Sequence, residues 1–584
     1  MSTTPFTFVT DEAAVEKALE AISRYSTAGV DTETTGLDPL TSRVRLLQIA
    51  TPEHSFVIDL FQVRALEQRG LRDWFESDTQ VKIFHNAKFD LKMLLYHFGI
   101  EVRGVFDTLL ASQLIGAGRS EGGHGLAAVT DRHLGEVIDK SMQTSDWSGT
   151  LSQNQQEYAA KDAALLLPLG EKLTARLEEL NLTDVAKLEF ECVLPLSAME
   201  LAGMAINEGC WRVLVADLER AHEVLSVELR CELAAGVPQL NLFGEPPNIN
   251  LDSPAQVMDA LAQMGIKVEG TRSWQLQAAA KDHHAIAKLL EYRSVQKLLS
   301  SYGPSLLEHI HPVTGRLHAD FRQMGAIGGR MSCSDPNLQQ VPNTPEYRKC
   351  FSAPEGRTLV IADYSQIELR ILADWSQDTA LVKALMSGED LHCVTASQMF
   401  GIPLEQVSKD QRAAAKQLNY GIMYGLGAPG LAARIDCPPE EAEGLLRKYF
   451  AAYSGVAAFL REAADRAVHD RECRTRSGRL IYFSYDANDR SQVAAAQRLG
   501  KNAPIQGSSA DIIKRALALL YDSLKPFDAR IVNCIHDEIV VEVAEADAGR
   551  CAAVVEREMV AAAREFIRSV PVTVDVVVGN AWLK

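Results

Sequence analysis

The feature that most limits the folds open to this chain is a pair of acidic stretches held far apart in sequence. In VIADYSQIELR an apolar run beginning at Val360 ends on Asp363, and a helix-like segment follows. Far downstream, RIVNCIHDEIVVEV sets Asp537 and Glu538 between two β-branched runs that read as the arms of a hairpin. Strands that each deliver a carboxylate to a sheet edge suit two-metal phosphoryl transfer, in which acids hold two ions about 3.5–4 Å apart. Only tertiary folding can join residues so distant, so the chain between them must leave a sheet and return to it. Taken singly, each stretch also reads as a solvated strand end.

The chain has 584 residues, and at roughly 100–200 residues per domain it divides into about three to five units. Its 47% hydrophobic and 23% charged residues, with no low-complexity tract or fixed-period repeat, exclude disordered and solenoid classes. A formal net charge of −18 argues against a nucleic-acid partner if read naively, because phosphates demand Lys and Arg. Whole-chain charge is the weaker criterion, since an enzyme that stores carboxylates for metals can still line one cleft with cations. The 10 cysteines include no C-x-x-C pair, which speaks against a zinc site or a disulfide framework. No basic leader precedes an apolar stretch, and no apolar run approaches a membrane span. The expectation is a cytoplasmic protein with no membrane partner, in a bacterium or a phage-infected host.

Near the N-terminus, GVDTETTGLDPL, VRLLQIA and SFVIDL read as strands of a mixed sheet. The strand period of two puts Asp31 and Glu33 on one side, able to share a cation. VKIFHNAKFDLKMLLYHFG then reads as a strand and an amphipathic helix, with Asn86 and Asp90 spaced i, i+4 on one face. QNQQEYAAKDAALLLPL repeats that arrangement with Tyr158 and Asp162. A lone D-x-E or a single i, i+4 pair is ordinary surface, but the ordered set weakens that reading.

These residues resemble the DEDDy 3′–5′ exonucleases, whose motifs D-x-E, N-x-x-x-D and Y-x-x-x-D are all present. The resemblance implies that Asp31, Glu33, Asp90 and Asp162 bind two Mg²⁺ or Mn²⁺ ions while Tyr158 orients the attacking water.

Beyond this region the chain reads mostly helical to about His311, broken by the Pro/Gly/Asn-rich VPQLNLFGEPPNINLDSP. Lys288, Arg293 and Lys297, with Tyr292 and Tyr302 on the same segment, suit either a solvated face or a duplex backbone. In SKDQRAAAKQLNYGIMYGLGAPG, Arg412, Lys416, Tyr420 and Tyr424 recur every fourth residue. On a helix such positions drift by only about 40° per step, giving one stripe of two cations and two rings. That stripe suits a nucleoside triphosphate, or else an amphipathic helix with packed tyrosines.

DYSQIELR, the R-x-x-x-K-x-x-x-Y-x-x-x-Y-G helix and HDE, in that order, resemble motifs A, B and C of the family A DNA polymerases. GGRMSCSDPNLQQVP and QRLGKNAPIQGSSADIIKRA extend the likeness, so with the exonuclease motifs it covers nearly the whole chain. The implied architecture is α/β multidomain and Klenow-type: an RNase H-like exonuclease joined to a right-hand polymerase with thumb, antiparallel palm sheet and helical fingers. No counterpart of a 5′ nuclease domain precedes the exonuclease motifs, an arrangement common in phage members. The implied divisions are exonuclease 1–185, thumb 186–318, palm 319–375, fingers 376–500 and palm again 501–584.

Carried over by position, Asp363 and Asp537 bind two Mg²⁺ or Mn²⁺ ions, with Tyr364 among the metal contacts and Glu538 assisting. Arg412 and Lys416 hold the triphosphate, and Lys416 protonates the leaving pyrophosphate. Tyr364, Gln366, His392 and Tyr420 complete the nucleotide site, and Glu368 crowds the sugar 2′ position and so selects deoxynucleotides. Arg330, Asn337, Tyr424, Arg498, Asn502, Gln506 and His536 contact primer and template, with Pro504 expected to interrupt the helix bearing three of them. Two departures matter. Tyr420 stands where many bacterial members have Phe and implies ready use of dideoxynucleotides, and Thr344 stands where an Arg is frequent. The implied partners are primer-template DNA and dNTPs, with a monomeric enzyme in replication or repair. The runner-up is a 3′–5′ exonuclease whose C-terminal region merely binds nucleic acid. A single-subunit RNA polymerase is disfavoured by Glu368 and by the exonuclease motifs.

Overall fold

The computed structural model describes residues 5–119, 122–138, 142, 145–235, 249–277 and 279–583. Most of the Pro/Gly/Asn-rich interruption, residues 236–248, lies outside them.

The N-terminal motifs fold onto a six-stranded mixed sheet in the order Phe6–Val9, Ser55–Asp59, Val44–Ala50, Thr27–Thr34, Val81–Phe84, Val105–Asp107. Thr27–Thr34 runs antiparallel to Val44–Ala50 and parallel to Val81–Phe84. VRLLQIA is buried along its whole length, as expected of a strand covered on both faces. Helix Gln153–Glu179 packs on this sheet unusually closely: a Cβ added at Gly29 would lie 2.1 Å from the Ala163 carbonyl oxygen. Glycine at that point lets the helix settle until Asp162 reaches the carboxylates two and four residues along the strand.

A second sheet, antiparallel throughout, has the order Ala529–Ile535, Glu538–Ala544, Arg357–Tyr364, Val574–Gly579. The motif A strand is therefore central, and Asp363 pairs across to Glu538. The HDE turn forms with His536 in the left-handed region, φ 55°. Helix Ala548–Phe566 backs the sheet and packs in turn against helix Arg490–Ser523. The expected interruption at Pro504 does not occur: Arg490–Ser523 is one helix of 34 residues. Pro504 lacks an N–H, but its own carbonyl gains a bond from Ser508 Oγ at 2.7 Å. The expected divisions at 185 and 500 fall inside helices Thr183–Ala202 and Arg490–Ser523.

The two regions join through the hairpin Glu472–Arg474 and Leu480–Tyr482. Leu480 packs with Leu169, Leu173, Leu177 and Leu182, and the Tyr482 N–H donates to the Ala117 carbonyl at 3.0 Å. Helices Glu208–Ala235 and His284–Tyr302 pack against each other. The tyrosines that the sequence interleaved with cations are buried there, Tyr292 at 3% and Tyr302 at 6% exposure. Burying a ring of that size is worth about 2 kcal/mol, which favours packing over DNA contact. Lys288 pairs with Glu228 at 2.9 Å and Arg293 donates to the Thr271 carbonyl, so these two cations are engaged within the chain. Cys192, Cys210, Cys231, Cys333, Cys350, Cys393, Cys437, Cys473, Cys534 and Cys551 are free thiols. Among the described residues no helix is long and apolar enough to cross a membrane.

Candidate active sites

In the N-terminal region, Asp31 and Glu33 share strand Thr27–Thr34, Asp90 sits in the first turn of helix Ala87–Phe98, and Tyr158 and Asp162 lie one turn apart on Gln153–Glu179. Asp90 is 2% and Asp162 6% exposed. Thr32 Oγ1 donates to Asp90 Oδ1 at 2.6 Å, and the Tyr158 hydroxyl donates to Asp162. Burial, then repulsion from Asp90, Glu33 and Asp162, holds Asp31 well above the usual carboxylate range. Glu33 is pushed up to about 8 by burial and by Asp162 and Asp90. Burial chiefly raises Asp90 to about 7, and raises Asp162 to about 6 against the Tyr158 hydrogen bond. Four buried acids, of which Asp31 and Glu33 are raised further by their neighbours, form a donor set suited to divalent cations, which would relieve burial and repulsion together. Among the described residues no three His, Cys, Asp or Glu side chains converge as a ready cage, so the fit rests on charge coupling and donor chemistry.

Asn86 departs from expectation. It does not share a helix face with Asp90 but stands at the helix N-cap in the left-handed region, φ 64°. The cause is Asp107, whose carboxylate accepts the N–H groups of Asn86 at 3.1 Å, Ala87 at 2.9 Å and Leu109 at 2.8 Å. One buried anion thus starts two helices, the favourable placement at helix N-termini. The sequence reading missed Asp107, although an Asp–Thr at a strand end before an apolar helix is an N-cap signal.

In the second region the Tyr364 N–H donates to the Asp537 carbonyl at 3.3 Å, which brings the motif A and HDE segments together beside Asp363. Two expectations need correction here. The Tyr364 side chain is buried and donates to the Met559 carbonyl at 2.6 Å, so only its main-chain carbonyl is left for a metal. The Glu538 carboxylate lies between Arg348 Nη1, 3.3 Å away, and Trp582 Nε1, 2.6 Å away. Its charge is held in a buried ion pair with Arg348, a partner that the expected assisting role did not include.

Helix Lys409–Gly421 carries Arg412, Lys416 and Tyr420 but ends before Tyr424, which lies in the following turn. Gly421 and Gly425 explain the break. Leu426 Cδ2 sits 2.4 Å from where a Gly421 Cβ would be, and Gly425 has φ +69°. From that turn the Tyr424 hydroxyl donates to Glu368 Oε2 at 3.0 Å. Burial raises Glu368, while Tyr424, Arg330 and Gln506 pull it down. The Tyr420 hydroxyl is raised by burial and by Asp537, Glu368 and Asp363, so it faces the acids. His392 is 3% exposed, its Nδ1 lies 3.0 Å from Asn419 Nδ2, and burial pushes it down to about 4. Gln366, φ 56°, opens helix Ile367–Ser376. Lys416 is exposed, whereas Arg412 is tied to Asp390 Oδ2 at 2.6 Å, a contact without a sequence signal.

Of the remaining expected nucleic-acid contacts, Arg498, Asn502 and Gln506 share helix Arg490–Ser523, and Tyr424 lines a small cavity with Arg498 and Asn502. Asn337 caps a turn through Oδ1, accepting the Gln339 N–H at 3.1 Å. Arg330 and His536 are exposed, and the charge of Arg330 reaches His536.

The family model described as DNA polymerase family A matches residues 221–584, and the one described as 3′–5′ exonuclease matches residues 6–178. The chain belongs to the family A DNA polymerases. It is a DNA-directed DNA polymerase with a 3′–5′ exonuclease domain, and the exonuclease-only alternative falls. DNA polymerase I of Aquifex aeolicus is 32% identical over 99% of this chain and 100% of that one. DNA polymerase I of Pseudomonas aeruginosa is 31% identical over 98% of this chain, and the thermostable DNA polymerase I of Thermus aquaticus is 35% identical over 73%. This family A chain spans 65% of the Pseudomonas relative and 52% of the Thermus one. Among solved structures, the POL domain of Pol1 from M. smegmatis in complex with DNA primer-template and dNTP superposes with a TM-score of 0.84 at 29% identity, covering 98% of this chain and 99% of that one. The right-hand architecture is thereby established.

Proposed function

We propose that Asp363 and Asp537 hold two Mg²⁺ or Mn²⁺ ions for nucleotide addition, and that Asp31, Glu33, Asp90 and Asp162 hold two more for primer hydrolysis. The carrying observation is the 3.3 Å bond from the Tyr364 N–H to the Asp537 carbonyl, which sets two acids from distant strands side by side. When bound, such ions activate the attacking oxygen and neutralise charge on the leaving one. Arg412 and Lys416 then hold the triphosphate, with Lys416 donating a proton to the departing pyrophosphate. Tyr420 and His392 flank the nucleotide, and Glu368, held by Tyr424, closes the space a ribose 2′-OH would need. Arg330, Asn337, Arg498, Asn502, Gln506 and His536 position primer and template, while Tyr158 aligns water in the exonuclease.

In this reading 186–318 is the thumb, 319–375 and 501–584 the palm, and 376–500 the fingers. The partners are primer-template DNA and dNTPs. The enzyme acts as a monomer in the cytoplasm, in replication or repair. The test is primer extension and primer degradation with matched and mismatched termini, with and without dNTPs. Degradation without dNTPs and extension with them support the reading; extension that survives loss of both Asp363 and Asp537 defeats it.

A further inference from the structure

Behind the nascent-pair site lies a cluster of four charges that the reaction does not use. Glu189, Asp511 and Lys514 are 0% exposed and Arg479 is 2% exposed. Arg479 donates to Asp511 Oδ1 through Nε at 3.0 Å and Nη2 at 2.6 Å, and also reaches Glu189. Asp511 Oδ2 accepts the hydroxyls of Thr475 at 2.7 Å and Ser477 at 2.5 Å. Lys514 Nζ donates to Glu189 Oε1 at 2.5 Å and to the Gly329 carbonyl at 2.7 Å. Taking ions out of water costs enough that such clusters often add no stability over an apolar packing of the same shape. Their geometry is the more informative property.

That geometry converges on one turn. Gly328 and Gly329 have φ +80° and +81°, a region that L side chains rarely adopt. A Cβ on Gly329 would lie 2.5 Å from the Arg479 guanidinium, and one on Gly507 would lie 2.9 Å from the Gly328 carbonyl oxygen. The turn is thus pressed between helix Arg490–Ser523 and the hairpin loop, with Lys514 holding its last carbonyl. The next residue is Arg330, whose side chain is exposed and whose charge bears on Glu368, Tyr424 and His536.

We infer that Lys514, held by Glu189 and backed by the Arg479–Asp511 pair, is a positioning residue that fixes the backbone from which Arg330 reaches the primer terminus. A buried carbonyl needs a donor, and Lys514 supplies it one residue before the contact that reads the new pair. The inference rests on the proposed role of Arg330 at the primer end, and the experiment separates the two ideas.

Single-turnover incorporation is measured on the full chain with matched primers in a cycle of Arg330→Ala, a charge-balanced Glu189→Gln/Lys514→Met pair, and their combination. The paired change avoids leaving one buried ion alone. Thermal melting reports that each protein is folded, hydrolysis of single-stranded DNA reports that the exonuclease site is intact, and Lys514→Arg, which keeps a donor, serves as the conservative rescue. The expected result is a loss of about tenfold in incorporation efficiency from the paired change, no further loss from it in the Arg330→Ala background, near-complete recovery with Lys514→Arg, and unchanged single-strand hydrolysis. Losses that multiply in the combined protein overturn the positioning role while leaving Arg330 as a primer contact. An Arg330→Ala protein that incorporates normally overturns the Arg330 reading and this inference with it. Should the paired variant lose single-strand hydrolysis, Lys514→Gln is measured in the same cycle, and multiplying losses there overturn the positioning role equally.

Discussion

The exonuclease acids and the polymerase acids both sit at or beside strand ends, yet their surroundings differ in where the opposing charge is kept. Burial raises Asp31, Glu33, Asp90 and Asp162 alike, and repulsion within the set adds to it at Asp31 and Glu33. Around Asp363 and Asp537 the cations stand on a separate helix, Arg412 is paired with Asp390, and Glu368 is engaged by Tyr424. A centre that only cuts a strand end can be built in advance. In the proposed reading, one that must choose among incoming nucleotides would keep its groups on other partners until the right substrate draws them in.

The sharpest way to break this contrast is to disable each site alone. Asp363→Asn should reduce nucleotide addition by roughly three powers of ten or more, given that bound metal supplies several kcal/mol at the transition state. Primer degradation should persist. Asp31→Ala should do the reverse, and loss of both activities from either change would show the two sites to be one. Next in size is Tyr420→Phe. If the Tyr420 hydroxyl substitutes for a missing sugar 3′-OH, its removal costs a buried hydrogen bond of about 1.5–3 kcal/mol, so dideoxynucleotide use should fall by roughly ten- to a hundredfold. Parallel chain-termination assays decide it, and unchanged termination would remove Tyr420 from that role.

A smaller effect concerns stability without divalent ions. With folded pKa values near 8 for Glu33, 7 for Asp90 and 6 for Asp162, the native state binds more protons than the unfolded chain above the ordinary carboxylate range. Stability must therefore fall as pH rises from about 5 to 8. In EDTA the exonuclease domain should melt several degrees lower at the alkaline end. Adding Mg²⁺ should flatten the dependence, and Glu33→Gln should reduce it; a flat profile in EDTA contradicts the crowding. The smallest effect is on the parked cation. Asp390→Asn keeps an N-cap for helix Leu391–Phe400 but releases Arg412, and a half-exposed pair is worth about 0–1 kcal/mol. A KM for dNTP lowered by a few-fold is expected, with kcat nearly unchanged, and a raised KM would show that Asp390 aids Arg412.

The sequence carried the chemistry further than the geometry. Period-two spacing sufficed to put Asp31 and Glu33 on one strand, and β-branched runs to put Asp363 on another, because those signals are local. What escaped was decided by neighbours remote in the chain. Asn86 left its helix because Asp107 claimed its N–H, Tyr424 left the Lys409–Gly421 helix because two glycines ended it, and Glu538 lost its freedom to Arg348 and Trp582. Pro504 misled for a different reason: its ring removes a single N–H, and the 34-residue helix Arg490–Ser523 runs through it.

Gly29 gives the division between the two sites an evolutionary edge. Its missing methyl helps admit helix Gln153–Glu179 to the sheet, and the polymerase acids lie by another sheet altogether. Gly29→Ala should therefore yield a mutator: an enzyme that copies at full speed and leaves its errors in place, visible as a raised mutation frequency in gap-filling synthesis with no loss of product.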